Sequence, residues 1–204
     1  MNLSYWLAYN FFKWFGRAFF NYRVLHREHL DVPGGAVVVC NHESFLDPPL
    51  AGVAFDEPLH FLARKTLFDN PVGGPIIRSW QAFPVDQDRP DPGSLKKLIR
   101  LLRAGEKVLL FPEGERCWDG KLLPGQPGVG LIVAKAKVPV IPVRLFGTHQ
   151  ALPRGGKMLH PAEITLVCGP TWHYDPIHYP GLEGKELYQR ISNDLMERIA
   201  SLHL

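Results

Sequence analysis

Cysteine is scarce: the chain of 204 residues has three, at positions 40, 117 and 168. The odd number and wide spacing exclude a disulfide framework and any CxxC zinc site. The scarcity fits a reducing compartment. A surplus of one charge is also lacking. The net charge is +3 with nine histidines, too little to argue for nucleic acid and compatible with an anionic substrate or a membrane surface. No unbroken apolar run reaches the roughly 20 residues of a transmembrane helix. The plain apolar core and cleavage site of a signal peptide are missing too. Neither an internal repeat nor a low-complexity segment occurs. What is present, 46% hydrophobic and 21% charged residues, is ordinary globular composition and excludes a disordered chain. The length suits one domain with a short appendage and can bury a core without staples.

Residues 1–24 differ from the rest. Half of residues 3–20 (LSYWLAYNFFKWFGRAFF) are Phe, Trp or Tyr, against 11% in the whole chain. Asn10, Lys13, Arg17 and Asn21 interrupt them at helical spacing, on one face. A basic polar stripe on an aromatic helix reads as an interfacial anchor lying in the headgroup plane. The competing reading is an amphipathic helix packed on the protein's own core. Residues 25–204 are expected to form the remaining domain.

In that body, short apolar runs at 36–40, 59–63, 82–85, 108–111, 138–145 and 164–168 read as strands. Pro139 and Pro142 suggest an edge or a bulge in the fifth. Helical patterns occupy 94–105, with Ser94 as N-cap and Gly105 as C′, then 129–137 and 187–199. The alternation predicts an α/β fold: a single layered domain with a largely parallel mixed sheet flanked by helices, plus the N-terminal aromatic helix.

Open parallel sheets bind ligands beyond the carboxyl ends of their strands. Three loops fit that position, at 41–48, 86–89 and 112–116. The first holds an HxxxxD pair, His42 and Asp47. Such spacing arises by chance, and His26 with Asp31 repeats it upstream of the first strand. His42 differs by context, with a strand before it and a helix pattern after it. A histidine can deprotonate a hydroxyl near neutral pH, and a carboxylate can hold its tautomer. The bland readings are a core histidine and a helix-start acid, since Ser44-x-x-Asp47 resembles a capping box with Pro48 in the first turn. In the third loop Pro112 and Gly114 form a tight turn that fixes Glu113 and Arg116. An arginine so placed suits a phosphate, although a surface turn with a local ion pair has the same pattern.

Taken together, Asn41-His42-x4-Asp47-Pro48, Ala82-Phe83-Pro84-Val85-Asp86, Phe111-Pro112-Glu113-Gly114-x-Arg116 and the block at 138–143 (VPVIPV) resemble the ordered blocks of the glycerolipid acyltransferases. The likeness is to the PlsC-like branch of 1-acyl-sn-glycerol-3-phosphate acyltransferases, and it runs from residue 41 to about residue 148. It implies an O-acyltransferase in which His42 is the general base and Asp47 orients it. The base takes a proton from the free hydroxyl of a lysophospholipid, which attacks an acyl-CoA or acyl-carrier-protein thioester. The product from 1-acyl-sn-glycerol-3-phosphate is phosphatidic acid. Cys40 and Cys117 then need not be nucleophiles. The resemblance makes Glu113, Gly114 and Arg116 the acceptor site. Where the family's second block commonly continues Val-Asp-Arg, this chain has Gln87, and its nearest arginine is Arg89. Arg89 and Lys65, the latter with Arg64 after a predicted strand, are the further substrate-binding candidates. No cofactor and no metal are implied beyond the acyl donor as co-substrate, and no nucleic acid. The expected partners are the bilayer, the lysolipid and the donor. The expected location is the cytoplasmic face of the cell membrane. Two alternatives stand beside this reading: a catalytically silent lipid-binding protein on the same scaffold, and an acyltransferase for another lysolipid. Metal-dependent hydrolysis through His42, Asp47 and Glu113 lacks an HExxH or clustered ligand set.

Overall fold

The run AVVVC at Ala36–Cys40 is wholly buried. A strand covered on both faces accommodates five consecutive apolar side chains in this way. In the computed structural model, which describes residues 2–85 and 92–204, this run is the central strand β2. It joins β1 (Arg23–Leu25), β3 (Leu59–Arg64), β4 (Ala82–Val85), β5 (Lys107–Leu110), β6 (Val140–Phe146) and β7 (Thr165–Cys168) in one sheet. The strand order is β1-β7-β6-β2-β5-β3-β4. Every neighbouring pair is parallel except β6 with β7. The α/β architecture read from the sequence is therefore the architecture observed. Gln87 and the candidate Arg89 lie outside the described residues.

Among the described residues, seven α-helices flank the sheet: α1 (Leu3–Phe20), α2 (Asp47–Gly52), α3 (Gly73–Ser79), α4 (Pro92–Arg103), α5 (Pro127–Ala136), α6 (Thr148–Ala151) and α7 (Gly184–Ala200). The pleat of β2 divides the core. Val38 and Cys40 point to the side of Phe20, Tyr22 and Leu50, from α1, its exit and α2. Val37 and Val39 point to the side of Leu98, Leu102, Val133 and Ile191, from α4, α5 and α7. Alternate residues of a strand face opposite sides, so one five-residue run anchors both layers.

α1 does two things. Asn2 caps it by accepting the Tyr5 amide at 2.8 Å. Asn21 ends it in the left-handed region at φ 44, which asparagine tolerates. Tyr5, Gly16 and Phe20 turn inward and are buried. Tyr5 Oη accepts the Leu59 amide at 3.0 Å. Gly16 permits close approach, since a Cβ there would lie 3.1 Å from Leu50 Cδ2. On the outer side Trp6, Leu7, Phe11, Trp14 and Phe19 remain exposed, Trp14 by 67%. Among the described residues no helix is long and apolar enough to cross a membrane. β1 follows directly and spans the 24/25 division drawn from the sequence.

Two local readings change. Ser94 lies inside α4 rather than capping it, because the helix begins at Pro92, whose ring suits a first helical turn. Gly105 does close the helix at φ +99, with the Glu106 amide bonded to the Leu101 carbonyl at 3.1 Å. β6, which holds Pro142 while Pro139 precedes it, is an interior strand. Between the Val140–Trp172 bridge and the Val143–Cys168 pair, residues 141–142 oppose residues 169–171. That is a β-bulge. Pro142, which has no amide hydrogen to give, sits within it, and its carbonyl accepts the Gly169 amide at 2.8 Å.

Candidate active site

β2 delivers Asn41 and His42 to the carboxyl edge of the sheet, and the chain then turns sharply into α2. Asp47, the first residue of α2, is completely buried. Its Oδ2 accepts the Glu43 amide at 2.6 Å and the Ser44 amide at 2.7 Å. The same oxygen lies 2.8 Å from His42 Nδ1. Backbone amides can only donate, so Oδ2 is an acceptor and Nδ1 carries the hydrogen. Nε2 therefore holds the lone pair. The imidazole is 18% exposed, and Nε2 has no protein partner among the described residues. The helix-start role and the histidine-orienting role of Asp47 thus belong to one carboxylate. The ring stacks on Phe111 at 4.0 Å between centroids and 18° between planes.

Three clasps hold this turn. Glu113, beyond β5 and 2% exposed, accepts the His42 amide at 2.7 Å through Oε1 and the Leu123 amide at 2.8 Å through Oε2. The Cys117 amide donates to the His42 carbonyl at 2.9 Å. Asn41 imitates a strand neighbour toward β6. Its Nδ2 donates to the Leu145 carbonyl at 2.9 Å and its Oδ1 accepts the Leu145 amide at 2.8 Å. Gly114 adopts φ +75 in the turn that places Glu113. A Cβ there would also meet Gln126 at 3.2 Å.

The site is electrostatically divided. Burial pushes Glu113 up to about 7, against the pull of its two amide bonds. Burial, aided by the charge of Asp47, pushes Glu43 up to about 7 as well. Glu43 accepts from Asn41 Nδ2 at 3.0 Å. On the other side, the Arg116 guanidinium lies 3.6 Å over the Phe45 ring. Its Nη1 is buried with no acceptor among the described residues. Burial, then the charge of Arg154, holds Arg116 below the usual arginine range, and Arg64 acts in the same direction. Arg154, in the loop after α6, donates from Nη1 to Glu115 Oε2 at 2.7 Å and to the Arg116 carbonyl. Its guanidinium covers Trp118 at 4.2 Å. Carboxylates thus surround one end of the histidine, and arginines gather at the loop beside it.

The structure brings together His42, Asp47, Glu113, Gly114 and Arg116. Glu113 spends both oxygens on backbone amides, which makes it a brace for the loop. Lys65 is exposed in the 3₁₀ turn Lys65–Phe68 and makes no hydrogen bond to these residues. The cation that Arg116 feels from this strand is Arg64, its neighbour. Arg154, Glu43 and the clasp role of Asn41 are additions. Arg154 stands 38 residues from Arg116 in a Pro-Arg-Gly-Gly turn, and no local spacing joins the two. Cys40 and Cys117 are buried, and burial pushes both thiols up, which disfavours the nucleophilic thiolate.

The site thus sets the open Nε2 of His42 next to the loop that carries the buried Nη1 of Arg116. The Acyltransferase family model matches residues 21–145. The chain belongs to this family and is an O-acyltransferase. It is 31% identical over 182 residues to the 1-acyl-sn-glycerol-3-phosphate acyltransferase of Bacillus subtilis, covering 88% of this chain and 87% of that one. It is 36% identical over 136 residues to a chloroplastic 1-acyl-sn-glycerol-3-phosphate acyltransferase of Brassica napus, covering 64% of this chain and 39% of the longer plant protein. The crystal structure of the 1-acyl-sn-glycerophosphate (LPA) acyltransferase PlsC from Thermotoga maritima superposes with a TM-score of 0.72 at 26% identity, covering 98% of this chain and 78% of that one.

Proposed function

We propose that the chain moves a fatty acyl group from acyl-CoA or acyl-carrier protein to the free hydroxyl of 1-acyl-sn-glycerol-3-phosphate, giving phosphatidic acid. The observation that carries this is the His42–Asp47 pair, with the Nε2 lone pair open and the unpartnered Arg116 Nη1 in the adjoining loop. The acceptor phosphate pairs with Arg116, a charge-assisted contact suited to the guanidinium fork. Nε2 takes the hydroxyl proton as the oxygen attacks the thioester carbonyl. A C–O bond forms and the C–S bond breaks. The leaving thiolate recovers the proton from the imidazolium, which Asp47 stabilises meanwhile. Glu113, Asn41 and the Cys117 amide keep the base in place, since transfer is steeply sensitive to position. A merely lipid-binding protein gains nothing from this bracing of a histidine.

The acceptor is a membrane lipid, and α1 supplies the seat. Its exposed Trp6, Phe11, Trp14 and Phe19 suit the headgroup boundary, with Lys13 and Arg17 toward anionic lipid. On this reading residues 1–24 hold the enzyme on the cytoplasmic face of the cell membrane. The test is acyl transfer to a panel of lysolipids by purified wild type and His42→Ala. Transfer to lysophosphatidic acid should fall by about 10²–10⁴-fold in the variant, with unchanged folding and vesicle binding. Full activity in the variant rejects the base. Transfer only to a lysolipid without a phosphomonoester rejects the acceptor.

A further inference from the structure

We propose that the outer face of α4 docks a small acidic acyl-carrier protein bringing the acyl thioester to the site. This rests on the acyl-transfer reading and narrows its donor. α4 has no acidic residue, and its Lys96, Lys97, Arg100 and Arg103 are all exposed. Positions 96, 100 and 103 fall on one line of the helix, where like charges repel. No ion pair among the described residues relieves any of the four. Glu106, the next acid along the chain, pairs with His60 at 3.3 Å instead. Arg103 donates to the Lys135 carbonyl at 2.6 Å. That contact brings the end of α5, with exposed Lys135 and Lys137, alongside. Lys97 lies 4.4 Å over the Phe83 ring, and the other five cations follow the 96/100/103 line and the end of α5, in a chain whose net charge is only +3. Unrelieved repulsion opposes helix stability, so the surface calls for an anionic partner.

Position selects the partner. Leu98 and Leu102 pack α4 on the sheet side of Val37 and Val39. Phe20 of α1 packs on the other side, with Val38 and Cys40. A bilayer met through α1 leaves α4 facing water, where a soluble anionic protein reaches it and lipid does not. α4 also runs from the end of β4 to the start of β5. Its first turns lie at the carboxyl edge that holds His42, over which a carrier's flexible phosphopantetheine arm would cross.

The experiment compares acyl-carrier protein and acyl-CoA of equal chain length as donors to full-length wild type and the double variant Lys96→Glu/Arg100→Glu. KM for the carrier-bound donor should rise about tenfold and lose most of its salt dependence, while kcat and KM with acyl-CoA stay unchanged. Lys96→Gln/Arg100→Gln should give a smaller rise of the same kind, and activity with acyl-CoA verifies folding in both. Equal KM for the carrier-bound donor in wild type and variants overturns the proposal. So does a variant that loses anionic-vesicle binding instead, or a wild type that uses acyl-CoA alone. No transfer from either donor overturns the acyl-transfer reading and this one with it.

Discussion

His26 and Asp31 repeat the spacing of His42 and Asp47 within the same chain. His26 adopts a left-handed φ of 56 ahead of the 3₁₀ turn Arg27–Leu30. Its ring is 60% exposed and lies 3.5 Å from Glu28 rather than from Asp31. Asp31 is exposed, and its amide bonds back to the Glu28 carbonyl at 3.4 Å. His42 follows a buried strand, and Asp47 opens a helix that folds back over it. Two amides fix the same carboxylate oxygen that meets the ring. Five residues of separation allow a dyad. A strand end, a sharp turn and donated backbone hydrogens build one.

The contrast is broken most forcefully at the carboxylates. Asp47→Asn keeps one oxygen that can accept both amides and the Nδ1 hydrogen, as Oδ2 does now, but loses the anion that supports the imidazolium. It should cost about 10²–10⁴-fold in kcat/KM. Asp31→Asn should leave kcat/KM within about twofold, read in the same acyl-transfer assay. Similar losses in both would dissolve the distinction.

A weaker blow falls on the brace. In Glu113→Gln the side-chain NH2 must face either the His42 or the Leu123 amide. Stability should fall by about 1–3 kcal/mol by denaturant unfolding. Activity should fall about tenfold as the base shifts. An unchanged rate would mean that His42 is held without Glu113.

The smallest effect concerns protons. Glu43 is raised by burial from an ordinary 4.5 to about 7. Between those values the native protein keeps a proton that the unfolded chain has released. Stability contributed by this group therefore falls as pH rises from about 4.5 to about 7, then levels. Glu43→Gln removes that decline. The variant should gain on wild type by roughly 1 kcal/mol or more between pH 5 and pH 7.5, followed by thermal unfolding across the range. Parallel curves would place the Glu43 proton elsewhere.

Much of the frame was legible because burial writes itself into patterns. The β-branched run of β2, the four-residue recurrence along α7 and Pro142 of β6 each announce their surroundings. β1 went unseen because three residues carry no periodicity. α3 went unseen because Gly73, Gly74 and Pro75 read as breakers. Yet Gly74 is there for contact, since a Cβ would fall 2.4 Å from the Phe68 carbonyl oxygen. At the site, His42, Asp47, Glu113 and Arg116 sit on turns next to strands, and turn chemistry marks them. Arg154 acts across 38 residues through a carbonyl, a carboxylate and an indole face. Such contacts exist only after the chain has closed on itself.

The clasp between Asn41 and Leu145 spans 104 residues, and the bond from Glu113 to the His42 amide spans 71. Non-local closures of this kind are slow to form and late to mature. A ribosome-bound chain that has already released its histidine and aspartate still lacks the strand on which Asn41 fastens. Synthesis and catalytic competence are thereby separated in time: the reactive turn stays loose until most of the sheet has emerged, and it tightens with the last central strand.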